Sequence, residues 1–241
     1  MQEQRHGIRR GALRALTLCA TLGLVAPAQA ATRGYTITSF DAVRVDAPVT
    51  VVITTGGGVS ARAEGDQAAL DRLRVDVSGR LLTISMERGQ AGAKAPGGAT
   101  LRMSTGEIGR IILSGGGSVS VDRMKGQRGQ IAIGGNGDLT VGAVQLDQLF
   151  LNLAGGGKAV LNGQAGVAEI HVSGPGAVLA EGLRTRQAIV GNEGAGSIAL
   201  TADVAAKVIA AGSGDVMVAG KAACTVDNRG TGRVSCGGED Y

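Results

Sequence analysis

The sequence predicts an all-β fold: a single-stranded β-helix, or solenoid, of about seven coils of 18–20 residues behind a β-rich N-terminal unit. Three observations carry this expectation. Gly-x-Gly recurs at nearly constant spacing, three apolar columns run in phase with it, and 42 Gly and 44% hydrophobic residues combine with no Trp. The only aromatic residues are Tyr35, Phe40, Phe150 and Tyr241. Gly stands at more than twice its usual share of about 7%. With 4 Pro and no triplet period that excludes collagen, and the apolar content argues against simple disorder. The core must therefore be aliphatic and built from small residues.

The repeat is read first because a missed period misassigns the whole fold. The pairs are Gly115/Gly117, Gly135/Gly137, Gly155/Gly157, Gly174/Gly176, Gly194/Gly196, Gly212/Gly214 and Gly230/Gly232, spaced 20, 20, 19, 20, 18 and 18 residues apart. Four residues before each first glycine stand Ile111, Ile131, Leu151, Ile170, Val190, Val208 and Val226. Four after stand Val119, Leu139, Ala159, Val178, Ile198, Val216 and Val234; six after stand Val121, Val141, Leu161, Ala180, Leu200, Val218 and Cys236. The residues between them are mostly polar or small, which is the alternation of half-buried strands. Each copy thus reads as strand, corner, strand. Such copies are shorter than a propeller blade of about 40 residues and lack the positions of a leucine-rich repeat. Stacked coils remain, each hydrogen-bonded to the next at about 4.8 Å. Glycine at every corner serves a bend that needs positive φ or close backbone approach. The competing role, an anion cradle of backbone amides, is disfavoured because stacking uses those amides.

Residues 31–90 do not keep this period and read as a β-rich opening or cap unit. Val43, Val45, Val49, Val51 and Ile53 alternate into Gly56-Gly57-Gly58; Leu70 and Leu73 mark a short helical turn; Val75, Val77, Leu82 and Ile84 resume strand pattern across Gly79. Its expected job is to start or cover the solenoid, since a bare first coil exposes unpaired edge amides. Residues 91–98 read as a flexible connection, and 99–241 as the solenoid.

Residues 1–30 read as a signal peptide. Arg5, Arg9, Arg10 and Arg14 precede the apolar run Ala15–Ala26, and Ala28-Gln29-Ala30 supplies the small residues of a cleavage site after Ala30. The run is too short for a membrane span of about 20 residues, and Cys19 lacks the setting of a lipoprotein cysteine. Cleavage removes four Arg and one Glu, leaving 20 basic and 19 acidic side chains and a net charge of +1. That charge, with so few aromatics, argues against a nucleic-acid partner. The mature chain has no transmembrane segment by sequence, and its expected location is the periplasm or the cell surface.

The mature chain keeps Cys224 and Cys236, a candidate disulfide across the last corner in an oxidising compartment; the alternative is two buried small hydrophobes. No metal-ligand spacing occurs, and His171 stands in an outward phase. Asn136-Gly137-Asp138 departs from the calcium nonapeptide in both Asp position and period. No corner continues into a nucleotide-binding glycine loop, so no cofactor is expected. Asp138 and Asp215 share an outward column, but four coils separate them by roughly 19 Å, too far for one catalytic dyad.

The opening Phe40-x-x-Val43-x-Val45, the strand Gly79-x-Leu81-x-x-Ile84, and the corners Ser114–Gly117 and Ser173–Gly176 resemble the head GIN domain of "putative autotransporter adhesins" over residues 35–238. The resemblance implies a right-handed single-stranded β-helix in a bacterial envelope protein and transfers no catalytic site. No β-barrel translocator follows the solenoid in this sequence, so surface exposure needs another export route. The expected function is a non-enzymatic envelope protein presenting a solenoid face to a glycan or protein ligand. Two alternatives differ in class: a carbohydrate-active enzyme, which needs acidic and basic groups clustered on one outward ladder, and a structural protein that forms a homo-oligomer through a solenoid end or side.

Overall fold

The structure is a computed structural model that describes residues 31–88 and 98–241. The expected signal segment 1–30, and all of the expected 91–98 connection except Gly98, lie outside the described residues. The N-terminal part holds β1 (Ala31–Tyr35), β2 (Ala42–Val45), β3 (Thr50–Thr55), β4 (Ser60–Gly65), α1 (Gln67–Arg72), β5 (Leu73–Ser78), β6 (Leu81–Met86) and β7 (Ala99–Thr105). There follow β8 (Arg110–Leu113), β9 (Ser118–Ile133), β10 (Asp138–Leu153), β11 (Lys158–Val172), β12 (Ala177–Asn192) and β13 (Ser197–Ala210). The chain closes with β14 (Val216–Gly220), β15 (Ala223–Asn228), β16 (Val234–Cys236) and β17 (Glu239–Asp240).

From β8 to β16 the pairing is parallel and each coil lies on the one before it. Val119 pairs with Leu139, which pairs with Ala159, which pairs with Val178. All three apolar columns face inward, and every member is buried except the half-buried Val226 in the last coil. Burying each Val, Leu or Ile of these columns contributes about 1.5–3 kcal/mol, but only once the neighbouring coils are present to cover it. The seven corners bound about six turns, one fewer than the expected count, because the last corner is followed by a strand and a short hairpin and no complete coil.

The coils differ in length without disturbing these columns. Coils of equal length, such as those of β9 and β10, pair without a register shift. Where length changes, shifts fall between Val141 and Val144, between Val160 and Gly163, between Ala180 and Arg184, and between Thr185 and Gln187. All four lie on the side of the coil away from the corner. Extra residues bulge outward there, so corner and core keep their registers.

A fourth inward column, two residues before each first corner glycine, begins Leu113, Ile133, Leu153, Val172 and then places Asn192 in the core. Asn192 is fully buried and fully partnered. Its Nδ2 donates to the carbonyls of Gly196 (2.8 Å) and Gly214 (3.1 Å), and its Oδ1 accepts from the Gly194 amide (3.3 Å). It thus ties its own corner to the next. Asn228, two corners further on, likewise has Nδ2 donating to Gly232 O and Oδ1 accepting from Gly230 N, both at 3.2 Å.

The N-terminal residues join the same stack out of chain order. β2 pairs in parallel with both β6 and β8, and β3 pairs in parallel with both β7 and β9. Residues 42–55 therefore form a layer between the β6/β7 layer and the first Gly-x-Gly coil. The outer edge of β6 is covered by antiparallel β5, and that of β7 by antiparallel β4, which in turn pairs with β1. The helix sits between β4 and β5, capped by Asp66, whose side chain accepts from the Ala68 amide at 3.0 Å. Leu70 and Leu73 anchor it in the core, and Gly79 turns the β5–β6 hairpin with φ +62°.

Candidate functional site

The corner glycines were the most conspicuous sequence feature, and the structure puts them to close packing. None of the fourteen has a positive φ. The second glycine of every corner is buried, and a Cβ on Gly174 would lie 2.5 Å from the Gly155 carbonyl oxygen of the preceding coil. Several of the amides are occupied as well. Gly157, Gly176 and Gly196 donate to the carbonyls of Gly135, Gly155 and Gly174 at 3.1, 2.9 and 2.9 Å. Backbone groups bonded to the neighbouring coil are not free to cradle an anion.

The outward side of the strands leading into the corners is chemically richer. Alternation points residues five and three before each first corner glycine away from the core. Register stacks Arg110, Gln130, Phe150 and Glu169 in one such column, and Ile112, Ala132, Asn152 and His171 in the other. Together they line a shallow groove over four coils. Phe150 is half-buried in it, and the Arg128 guanidinium lies 5.5 Å from its ring centroid, a cation–π arrangement. Arg128 is steered there by Gln148, whose Oε1 accepts from Nε (3.3 Å) and Nη2 (3.1 Å). Arg110 Nε donates to Gln130 Oε1 at 2.9 Å.

Arg44, paired in register with Ile112, extends the groove toward the N-terminal layers. Among the described residues, no carboxylate stands within ion-pair distance of Arg44, Arg110 or Arg128, whereas nearby Arg80 is paired with Asp41 and Glu107. At the other end of the groove Glu169 Oε1 and His171 Nε2 are 3.0 Å apart. The imidazole packs across Gly191 of the next coil, where a Cβ would come 2.5 Å from Nδ1. Sequence reasoning placed His171 on the surface but not in a cluster, and counted the aromatics without locating Phe150. Stacking the outward columns as well as the inward ones would have found both.

Glu169 and His171 are 36% and 49% exposed and open to solvent at the end of the groove. Asp138 and Asp215 stay four ladder steps apart, and Asp215 Oδ1 accepts from the Arg233 amide at 2.9 Å. Among the described residues no group of three or more His, Cys, Asp or Glu is placed to hold a metal ion, and no helix is long and apolar enough to cross a membrane. At the C-terminal end Cys224 and Cys236 are bonded through sulfur with their Cα atoms 6.1 Å apart, inside the usual range of about 4.4–6.8 Å.

Comparison with known proteins agrees with this architecture. No curated protein matches the chain. A crystal structure from Bacteroides fragilis described as a putative adhesin is 19% identical, with a TM-score of 0.78, covering 86% of this chain and 96% of that one. A structure from Parabacteroides distasonis described as a putative lipid binding protein is 20% identical with a TM-score of 0.65, and a putative adhesin from Parabacteroides merdae is 17% identical with a TM-score of 0.59, each at the same coverages. At these identities the likeness establishes a shared fold. The family profile described as "Putative auto-transporter adhesin, head GIN domain" matches residues 39–222, from just before β2 to the turn between β14 and β15, and the chain belongs to that family.

Proposed function

We propose that this protein is a non-enzymatic envelope protein, exported with cleavage after Ala30, whose solenoid presents a binding face to a glycan or protein partner. The observation that carries the reading is the groove around Phe150. There a half-buried aromatic, cations without a carboxylate partner and amide side chains converge on the outside of the stack. Membership of a family described as adhesins supports the same reading. The test is exposure on cells. With an unstructured epitope tag at the C terminus as reporter, external protease should remove the tag from intact cells. Removal only after the outer membrane is permeabilised would sink the adhesin reading and direct the search to periplasmic partners.

A structural, self-assembling role is the second reading, favoured by one feature. The outer edge of β15 pairs with no other strand among the described residues.

A further inference from the structure

We propose that the groove around Phe150 binds a linear carboxylated polysaccharide, a chain of uronic acids. The inference rests on the binding-face reading above and gives it a ligand class. Three arginines without a carboxylate partner, Arg44, Arg110 and Arg128, converge on one stretch of a molecule whose expected mature net charge is only +1. Such a local surplus selects an anion. Arg110 is the best placed of the three. Its Nε is engaged by Gln130, which fixes the guanidinium plane and leaves both terminal nitrogens as a fork, the geometry that takes a carboxylate through two parallel hydrogen bonds.

The remaining lining fits a sugar better than a peptide or a nucleic acid. With its Oε1 already accepting from Arg110, Gln130 keeps its NH₂ as a donor, and Asn152 in the adjacent column is exposed and offers both donor and acceptor. These suit ring hydroxyls. Phe150 supplies one apolar face of the kind that packs on sugar C–H groups. A protein interface would want a cluster of apolar anchors in a fully desolvated centre, and single-stranded nucleic acid would want several aromatic platforms; a lone half-buried ring satisfies neither. Coil spacing of about 4.8 Å is also close to the length of one sugar residue. Successive coils therefore meet successive sugars of an extended chain.

The experiment is calorimetric titration of the mature protein with tetragalacturonate, tetramannuronate and a hyaluronan octasaccharide, with methyl-esterified tetragalacturonate as the uncharged counterpart. Binding of at least one uronate oligomer is expected. If that oligomer is tetragalacturonate, esterification should weaken binding at least about tenfold; for any of them Arg110→Gln and Phe150→Ala should each do so, the loss of one charge-assisted or stacking contact. Lys158→Gln, on a different outward face, should bind as the parent does. Thermal unfolding of each variant shows that the fold is retained. The proposal is overturned if none of the three uronates binds, if the ester binds as well as the acid, or if Arg110→Gln and Phe150→Ala bind like the parent. Capture of a neutral glycan or of a protein would overturn the uronate assignment alone. Loss of the tag only from permeabilised cells would overturn the adhesin reading and leave the groove's chemistry standing.

Discussion

At Gly157 a methyl group has nowhere to go. The Cβ it requires would collide with the Gly137 carbonyl oxygen of the coil below, and the Ile133 side chain stands 3.2 Å away on the inner side. Backbone cannot retreat here, because the Gly157 amide is itself bonded to Gly135 O. Gly157→Ala should therefore cost about 1–3 kcal/mol through overpacking, lowering the Tm by roughly 2–12 °C. Gly134 is the matched control. It precedes a corner, has no positive φ and would place its Cβ in open space, so Gly134→Ala should leave the Tm unchanged or raise it slightly. Thermal unfolding followed by circular dichroism decides, and equal Tm values for the two variants would remove close approach as the reason for the corner glycines. That these glycines matter was legible from their period. Which of two reasons they served was not, since positive φ and close approach leave the same letter in the sequence and only the stacking distance separates them.

Elements were legible where they repeat. The inward columns at four before and at four and six after each first corner glycine identify every strand from β8 to β16, because stacking forces the same chemistry onto the same position of each coil. Two things were hidden. Residues 42–55 make a coil whose corner, Asp46-Ala47-Pro48-Val49, has no Gly-x-Gly, and which lies in the stack between layers that follow it in sequence. Neither the period nor chain order signals that arrangement. Asn192 is the other, a polar residue in an apolar column whose three hydrogen bonds exist only once its coil and the next are formed. At the last coil the bond between Cys224 and Cys236 joins β15 to β16. It ties down the coil with no successor to cover it, and cross-links of this loop length contribute about 3 kcal/mol. Reduction, or Cys224→Ser with Cys236→Ser, should accelerate amide exchange in residues 223–236 and leave β10–β12 protected, since coils communicate chiefly with their neighbours. Exchange unchanged by reductant, or two free thiols by mass in protein isolated from the envelope, would overturn the staple.

For the whole molecule, a stack of parallel coils has two ends, and each end carries unpaired strand edges that template association. The N-terminal end is managed thoroughly: β5 covers β6, β4 covers β7 and β1 covers β4, all antiparallel, so the parallel ladder cannot simply continue onto a second molecule. The C-terminal end is managed with far less chain. Gly237 and Gly238, at φ +63° and +91°, reverse the backbone so that β17 lies antiparallel on β16, and the Tyr241 amide donates to Val234 O at 2.9 Å. That hairpin covers one strand of the last coil and leaves β15 alone at its edge. Removal of residues 237–241 bares β16 as well, turning a single free strand into the whole exposed face of a coil, with the half-buried Val226 close to the new edge. The truncated protein should associate at concentrations where the full chain does not, visible as a mass increase in light scattering with rising concentration. It should also lose that tendency when Ser235→Lys places a charge on the bared strand, as edge lysines do elsewhere. A truncated chain with the same mass as the full chain across the concentration range would show that β17 has no protective role, and the edge of β15 would then have to be kept from pairing by Asp227 and Arg229, whose ion pair lies at its end.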